Sequence, residues 1–512
     1  MSRSDDADGG TGASEADVIV IGAGPAGEVV AGRCAEAGLS VTVIERERVG
    51  GECSYWGCIP SKTLLRPGEV LAAARAVPGA APAVGGIDAA AAFARRDEMV
   101  GGYSDAGQLP WLRERGVVVR RGAGRLVGER RVAVRAPDGA EEVLTAARAV
   151  VLATGTRATV PPVPGLAGAD PWDNRSATGA RAVPARLAVL GGGAVGAELA
   201  QAFRRLGSAE VTIIEGGPRL LAHEEPFAGD EVRAAFEAEG ITVHTGRRAV
   251  AVHREAPAAG TPAGSGTPAG SGELAGPGAP RGAVVVTLDG GSGGSGVGGP
   301  ERVVADEILV AVGRTPATGE LGLPAVGLPE GGFVEVDDRM RATGVAGDWL
   351  YAVGDVNGRA LLTHMGKYQA RVAADAITGR LDPAGRAAAD RADPGAVPRV
   401  TFTDPQVSAV GRTEAAARAA GLDVRVVTVP TASVAGSSVR GTEAVGTSQI
   451  VVDTARRVLV GATFVGHDTQ EMVHAAAIAI VGAVPLEDLW HAVPSFPTVS
   501  EVWLRLLEAY GL

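Results

Sequence analysis

The 512-residue sequence predicts an α/β protein, with two Rossmann-like dinucleotide-binding domains followed by a C-terminal α+β domain. Three observations predict it. An apolar strand, a glycine turn and an alanine-rich helix occur in that order twice, opening at Asp17 and at Arg186, which is the βαβ pattern of a parallel sheet. Each of the two turns reads GxGxxG. A Pro/Ala/Gly-rich stretch from Gly379 to Pro398 then sets off a last segment of mixed strands and helices, Arg399 to Leu512.

Composition narrows the partners. A formal net charge of -11 argues against nucleic acid and anionic membranes, since both demand a basic face. Residues 1–14 are acidic and Gly/Ser-rich, read as a disordered tail without the apolar core of a secretory signal. The longest apolar stretches, such as Ala475 to Val484, fall short of the roughly 20 residues that span a bilayer. A cytoplasmic location is expected. The only cysteines are Cys34, Cys53 and Cys58, and the only lysines Lys62 and Lys367. In a reducing compartment the closely spaced Cys53 and Cys58 read as a working redox pair, and Cys34, alone on a predicted helix, as core filler.

The first unit runs Asp17-Val-Ile-Val-Ile-Gly22-Ala-Gly24-Pro25-Ala26-Gly27 and reaches Val41-Thr-Val-Ile-Glu45 eighteen residues after Gly27. Its glycines allow a pyrophosphate close to the backbone, at a helix N-terminus that stabilises it. Glu45, at the end of the next strand, is placed to accept from a ribose. Between the units, Val117 to Val151 holds short β-rich runs that read as a small antiparallel excursion. The second unit, Leu187-Ala-Val-Leu-Gly191-Gly-Gly193-Ala194-Val195-Gly196 with Val211-Thr-Ile-Ile-Glu215, repeats the device, so two dinucleotides are expected. Glu215 repels a 2′-phosphate, which favours NAD(H) over NADP(H), although Arg219 lies close by. From about Pro257 to Pro300 the chain is Gly, Ser, Pro and Ala with TPAGSG repeats around the strand-like Gly282 to Asp289, an expanded loop region within the second domain.

Gly50-Gly51-Glu52-Cys53-Ser-Tyr-Trp-Gly-Cys58-Ile-Pro-Ser-Lys62 follows the first unit. Two sulfurs at this spacing can bond if the loop coils, and a helix beginning near Cys58 favours its thiolate. CxxxxC without a second Cys or His pair is a poor zinc site, so no metal is expected.

With these motifs the chain resembles the class I pyridine nucleotide-disulfide oxidoreductases, the family of dihydrolipoamide dehydrogenase, glutathione reductase and mercuric reductase. The likeness extends through Ala153-Thr154-Gly155, Val312-Gly313-Arg314-Thr-Pro, Ala352-Val-Gly354-Asp355-Val, and Phe402-Thr-Asp404-Pro405 with Val410-Gly411. It implies FAD on the first fingerprint, NAD(H) on the second, and a homodimer whose active site is shared across the interface. Residues 15–156 and 319–392 then form the FAD domain, residues 157–318 the NAD(H) domain with insertions around 256–281 and 290–300, and residues 393–512 the dimerisation domain.

The resemblance also implies roles. Arg46, Gly51, Glu52, Gly124, Ala153, Thr154 and Gly155 join the first fingerprint around FAD, Asp355 binds the ribityl chain, and Thr363 gives backbone contacts. Val250, Gly313 and Arg314 join the second. Lys62 sits near flavin N5, paired with Glu198; such a buried pair needs both members. Cys58 faces the flavin and Cys53 attacks the substrate in thiol–disulfide exchange.

One departure stands out. In the family's disulfide reductases a His-Pro-Thr segment from the partner subunit supplies a general acid/base, oriented by a Glu five residues later. Here the segment reads Phe496-Pro497-Thr498-Val-Ser-Glu501; the register holds and the histidine is gone. His491, five residues earlier, is the one candidate substitute. Phe at this place is similar to the ketopropyl-coenzyme M carboxylase branch, in which the glutamate is also replaced, whereas Glu501 is kept. Ser54-Tyr55-Trp56 puts aromatic bulk in the cysteine loop, expected to narrow or reshape the substrate mouth. The reading is an NADH-dependent flavoenzyme acting on a disulfide or thioether, with dihydrolipoamide dehydrogenase, a quinone reductase or diaphorase, and a ketopropyl-coenzyme M carboxylase-like C–S cleaving enzyme as the alternatives; mercuric reductases carry an additional cysteine pair that these three cysteines do not supply.

Overall fold

The computed structural model describes residues 15–257, 281–290, 301–381, 386, 388–393, 395–442 and 445–512. The expected tail and most of both low-complexity insertions lie outside the described residues. Contacts group the chain into two units: one from the residues up to Cys53, Ser104–Arg157 and Thr315–Asp390, the other from Ser54–Tyr103, Ala158–Arg314 and Arg391–Leu512.

The first unit is built on a seven-stranded sheet. Val118–Arg121, Val41–Glu45, Glu15–Ile21 and Glu141–Leu152 lie side by side and parallel, with Leu350–Ala352 parallel to the last of them. All five residues of Val41–Glu45 are buried, as a parallel strand covered on both faces requires. The antiparallel excursion of the sequence is here, and it extends this same sheet: Arg131–Arg135 pairs antiparallel with the start of Glu141–Leu152, and Ala123–Gly128 with Arg131–Arg135. Helix Pro25–Glu36 covers one face, where Val30, Ala31 and Cys34 pack with Ala370, Ala373 and Ala374 of helix Thr363–Thr378. Cys34 is core filler, fully buried, and burial pushes its thiol up to about 12.

In the second unit, Ile241–Thr245, Glu210–Glu215, Arg186–Leu190 and Glu307–Val310 form a parallel four-stranded sheet. Val284–Leu288, the strand read between the two insertions, is the middle of an antiparallel three-stranded sheet. The C-terminal segment is a five-stranded antiparallel sheet, Pro398–Thr401, Gln406–Gly411, Val458–Gly466, Thr447–Asp453 and Val424–Pro430, with Met472, Val473, Ala476, Leu506 and Tyr510 of its helices in the core. No helix among the described residues is long and apolar enough to cross a membrane.

Candidate functional site

Both fingerprints fold to one geometry. Gly22 and Gly191 adopt φ +103° and +102°, a region that penalises any side chain. A Cβ on Gly27 would lie 2.0 Å from Gly22 O, and one on Gly196 2.0 Å from Gly191 O, so only glycine lets each helix start so close to its strand. Helices Pro25–Glu36 and Ala194–Leu206 have no side-chain N-cap, leaving their first backbone N–H groups to serve a phosphate.

At the first fingerprint, Glu45 accepts from Ala23 N–H at 2.7 Å and from Glu47 N–H at 2.6 Å. Burial raises its carboxyl, and those two donors pull it back. Thr154 Oγ1 is buried with no hydrogen-bond partner, a polar orphan of the kind a bound ligand satisfies. Asp355 accepts from Thr156 Oγ1 at 2.8 Å, while Gln369 Oε1 holds Gly354 N–H and the Asn357 amide at 2.8 and 2.9 Å. Gly354 approaches the fingerprint so closely that its Cβ would sit 3.3 Å from Ala26 Cβ. Thr363 opens its helix without a side-chain cap before it. A Cβ on Gly124 would press on Ile21 and Ile44 at 3.2 Å, so a side chain there would push those two residues aside by a few tenths of an ångström. Arg46 is exposed and pairs with Glu47 and Glu320. The carboxylate, the orphan hydroxyl and the uncapped helices fit FAD.

Glu28, next after Gly27, was not singled out by the sequence reading. Burial lifts its carboxyl from 4.5 to about 7; Lys367 opposes the rise and Glu45 adds to it. The folded state thus holds a proton that the unfolded chain releases, and this contribution to stability is lost as pH climbs from 4.5 through about 7. Glu28→Gln is expected to flatten the decline, raising stability at pH 8 by about 2–3 kcal/mol with little change near pH 4.5. Unfolding midpoints of the FAD-loaded protein at both pH values check this; parallel wild-type and variant profiles would refute it.

The second fingerprint places Glu215 likewise: Gly192 N–H donates to Oε2 at 2.6 Å and Gly217 N–H to Oε1 at 2.5 Å. A Cβ on Gly193 or Gly313 would meet nothing within 4 Å, so both backbones are open to a ligand. Val195 and Val250 expose 44% and 46% of their surface, apolar side chains available to a nucleotide ring. Arg314 reaches Asn174 Oδ1 at 3.5 Å. These residues fit a nicotinamide dinucleotide. Arg219 is turned away, donating to Ala222 O and Glu224 O.

Cys53 lies on the short helix Gly51–Tyr55, and Cys58 opens the helix Cys58–Arg75. Lys62 stands one turn beyond Cys58, so the two share a helix face. Lys62 Nζ donates to Glu198 Oε2 at 2.6 Å, the two side chains 35% and 5% exposed. Helices Cys58–Arg75 and Ala194–Leu206 run side by side in the same direction: Lys62 meets Glu198, and further along a Cβ on Gly68 would sit 2.6 Å from Arg205 Cδ. Removing Lys62 alone strands a buried carboxylate, a loss of roughly 3–5 kcal/mol.

The sequence reading named Phe402 within a family motif but gave it no role at the site. Its backbone N–H donates to Glu198 Oε1 at 2.9 Å, and Lys62 Nζ stands 4.9 Å from its ring centroid. The adjoining Asp404 exchanges hydrogen bonds with Gln201 and accepts from Arg205. With Phe402 and Glu198 separated by 204 positions, nothing local in the sequence signals this clamp.

The expectation for Tyr55 and Trp56 is corrected. They are 3% and 6% exposed; Trp56 stacks on Tyr103 at 4.7 Å, and its carbonyl accepts from Asn174 and Thr178. The aromatic bulk anchors the loop from within, instead of narrowing a substrate mouth.

Phe496 is 76% exposed. His491 ends the helix Leu486–Trp490, and its imidazole has no hydrogen bond or ion pair among the described residues. Glu501 Oε2 is buried with no hydrogen-bond partner. Among the described residues no cluster of three or more His, Cys, Asp or Glu is disposed to hold a metal.

Comparison with known proteins agrees with this geometry. The profile described as pyridine nucleotide-disulphide oxidoreductase matches residues 16–376, and that of the same family's dimerisation domain matches residues 397–506. A dihydrolipoyl dehydrogenase of Chlorobaculum tepidum is 34% identical over 96% of both chains, and a mercuric reductase of Staphylococcus aureus is 28% identical over 95% of this chain and 80% of its own. Among solved structures, LpdA of Mycobacterium tuberculosis superposes with a TM-score of 0.77 at 24% identity, covering 97% of this chain and 100% of that one. The flavoprotein disulfide reductase RclA of Escherichia coli also gives 0.77 at 24%, covering 96% and 99%. These two share the fold. Two profiles that together take in both fingerprints, the cysteine pair and the C-terminal sheet leave one assignment: the chain belongs to the pyridine nucleotide-disulphide oxidoreductases, enzymes that act on sulfur groups with NAD(P)H.

Proposed function

We propose that the protein is an FAD-dependent enzyme that spends NADH to reduce a small disulfide, or a thioether cleaved through a mixed disulfide, on a substrate other than free lipoamide. The supporting observation is the intact Lys62–Glu198 pair one helical turn from Cys58, combined with Phe496 where the family's base belongs. FAD, when bound, supplies the two-electron link between nicotinamide and sulfur. The residues then divide the work. Cys53, as thiolate, attacks one substrate sulfur and releases the first thiol; the Cys58 sulfur attacks Cys53 and releases the second, closing the Cys53–Cys58 disulfide. For a disulfide the balance is NADH + H⁺ + RSSR → NAD⁺ + 2 RSH; for a thioether the first attack expels the carbon group, which takes up a proton as R′H, and the balance is NADH + H⁺ + RSR′ → NAD⁺ + RSH + R′H. Lys62, its charge matched by Glu198, is a fixed cation beside Cys58. Phe496 carries no proton, so the leaving thiolate takes one from solvent or from His491. The C-terminal domain makes the homodimer, and each protomer lends Phe496 to its partner's site.

Anaerobic NADH addition followed by thiol counting tests the reading. Two new accessible thiols per chain are expected, with Cys34 silent in its core. Flavin reduction without new thiols would sink it and favour a quinone reductase. Oxidation of dihydrolipoamide is a second reading, favoured by the 34% identity to dihydrolipoyl dehydrogenase.

A further inference from the structure

Two consecutive arginines, Arg247 and Arg248, follow strand Ile241–Thr245 beside the second fingerprint. They are not equivalent. Arg247 is occupied: its guanidinium pairs with Asp289 at 3.3 Å and Glu301 at 3.0 Å, and its N–H donates to Glu215 O at 3.1 Å. Arg248 is fixed only by its backbone, which exchanges hydrogen bonds with Asp289 at 3.0 and 2.9 Å. Its side chain is exposed and has no hydrogen bond or ion pair among the described residues. That side chain lies across Gly216, the residue after Glu215: a Cβ on Gly216 would stand 3.2 Å from Arg248 Nε and 3.3 Å from its Cγ. An unpaired guanidinium therefore flanks the carboxylate that ends the strand, at the place where a Rossmann-type site holds the adenosine ribose.

We propose that Arg248 is a specificity residue that recognises a phosphate on the ribose 2′-oxygen, so that the site binds NADPH alongside NADH. This rests on the reading of the second fingerprint as the nicotinamide dinucleotide site. A free 2′-hydroxyl needs only an acceptor, which Glu215 provides. A 2′-phosphate needs a cation, and a guanidinium matches it with two parallel donors. Repulsion from Glu215 is reduced because both of its oxygens already accept backbone N–H groups. Arg219, the nearer cation in sequence, is committed to Ala222 O and Glu224 O.

Calorimetric titration of the FAD-loaded protein with 2′,5′-ADP and with 5′-ADP tests the proposal without turnover. Wild type is expected to bind both. Arg248→Ala should weaken 2′,5′-ADP about tenfold, the size of one charge-assisted contact, while changing 5′-ADP by less than about twofold. Arg248→Lys should keep most of the affinity for 2′,5′-ADP. Equal weakening of both probes would overturn the proposal in favour of adenine packing, and so would wild-type binding of 5′-ADP alone. Failure of both probes to bind wild type would overturn the assignment of the second fingerprint itself, a result distinct from the other two.

Discussion

Cys58→Ser and Cys53→Ser are each expected to lower NADH-driven disulfide reduction by on the order of 10⁴-fold or more, because a missing nucleophile removes the whole exchange sequence. The two variants should fail differently. With Cys53 intact, Cys58→Ser still attacks substrate once and stalls as a mixed disulfide, releasing one thiol per chain. Cys53→Ser releases none. Rapid-quench thiol analysis separates these outcomes. Turnover within tenfold of wild type in either variant would remove the cysteine pair from the mechanism, and unchanged quinone turnover in both would mark a flavin-only route.

Phe496→His carries the second large effect. A positioned acid/base contributes about 10²–10⁴-fold to a proton transfer, and the segment lacks one. The variant should raise dihydrolipoamide turnover about 10²-fold and add a new ionisation near the histidine range to the pH profile. Glu501 is ready to orient the imidazole, since its Oε2 is buried without a hydrogen-bond partner. Phe496→Leu should do neither, which separates proton transfer from loss of bulk; at 76% exposure in the protomer, Phe496 can be replaced without opening the core. Fast dihydrolipoamide turnover by wild type, or no gain in the histidine variant, would return the protein to the ordinary dehydrogenase reading.

Much of this was legible in the sequence because its causes are local. Gly22, Gly27, Gly191 and Gly196 are demanded by a turn of a few residues, and Glu45 and Glu215 by the strand that follows. The Cys53–Cys58 spacing and the start of a helix at Cys58 are equally short-range. So is the loss of the base at Phe496, which shows against Pro497, Thr498 and Glu501 holding register.

What only the tertiary structure decided is long-range. Phe402 clamps Glu198 from 204 residues away, and the burial of Tyr55 and Trp56 depends on Tyr103, Asn174 and Thr178 arriving from other segments. Glu28 reads as an ordinary helix-surface carboxylate until packing takes its water away and raises its pKa to about 7. Arg219, which the sequence places near the second carboxylate, is turned onto carbonyls by the fold, while Arg248, which the sequence did not single out, lies beside Gly216. Pattern and spacing fix which groups a segment can offer. Desolvation and pairing, which depend on residues far apart in the chain, fix what those groups can do.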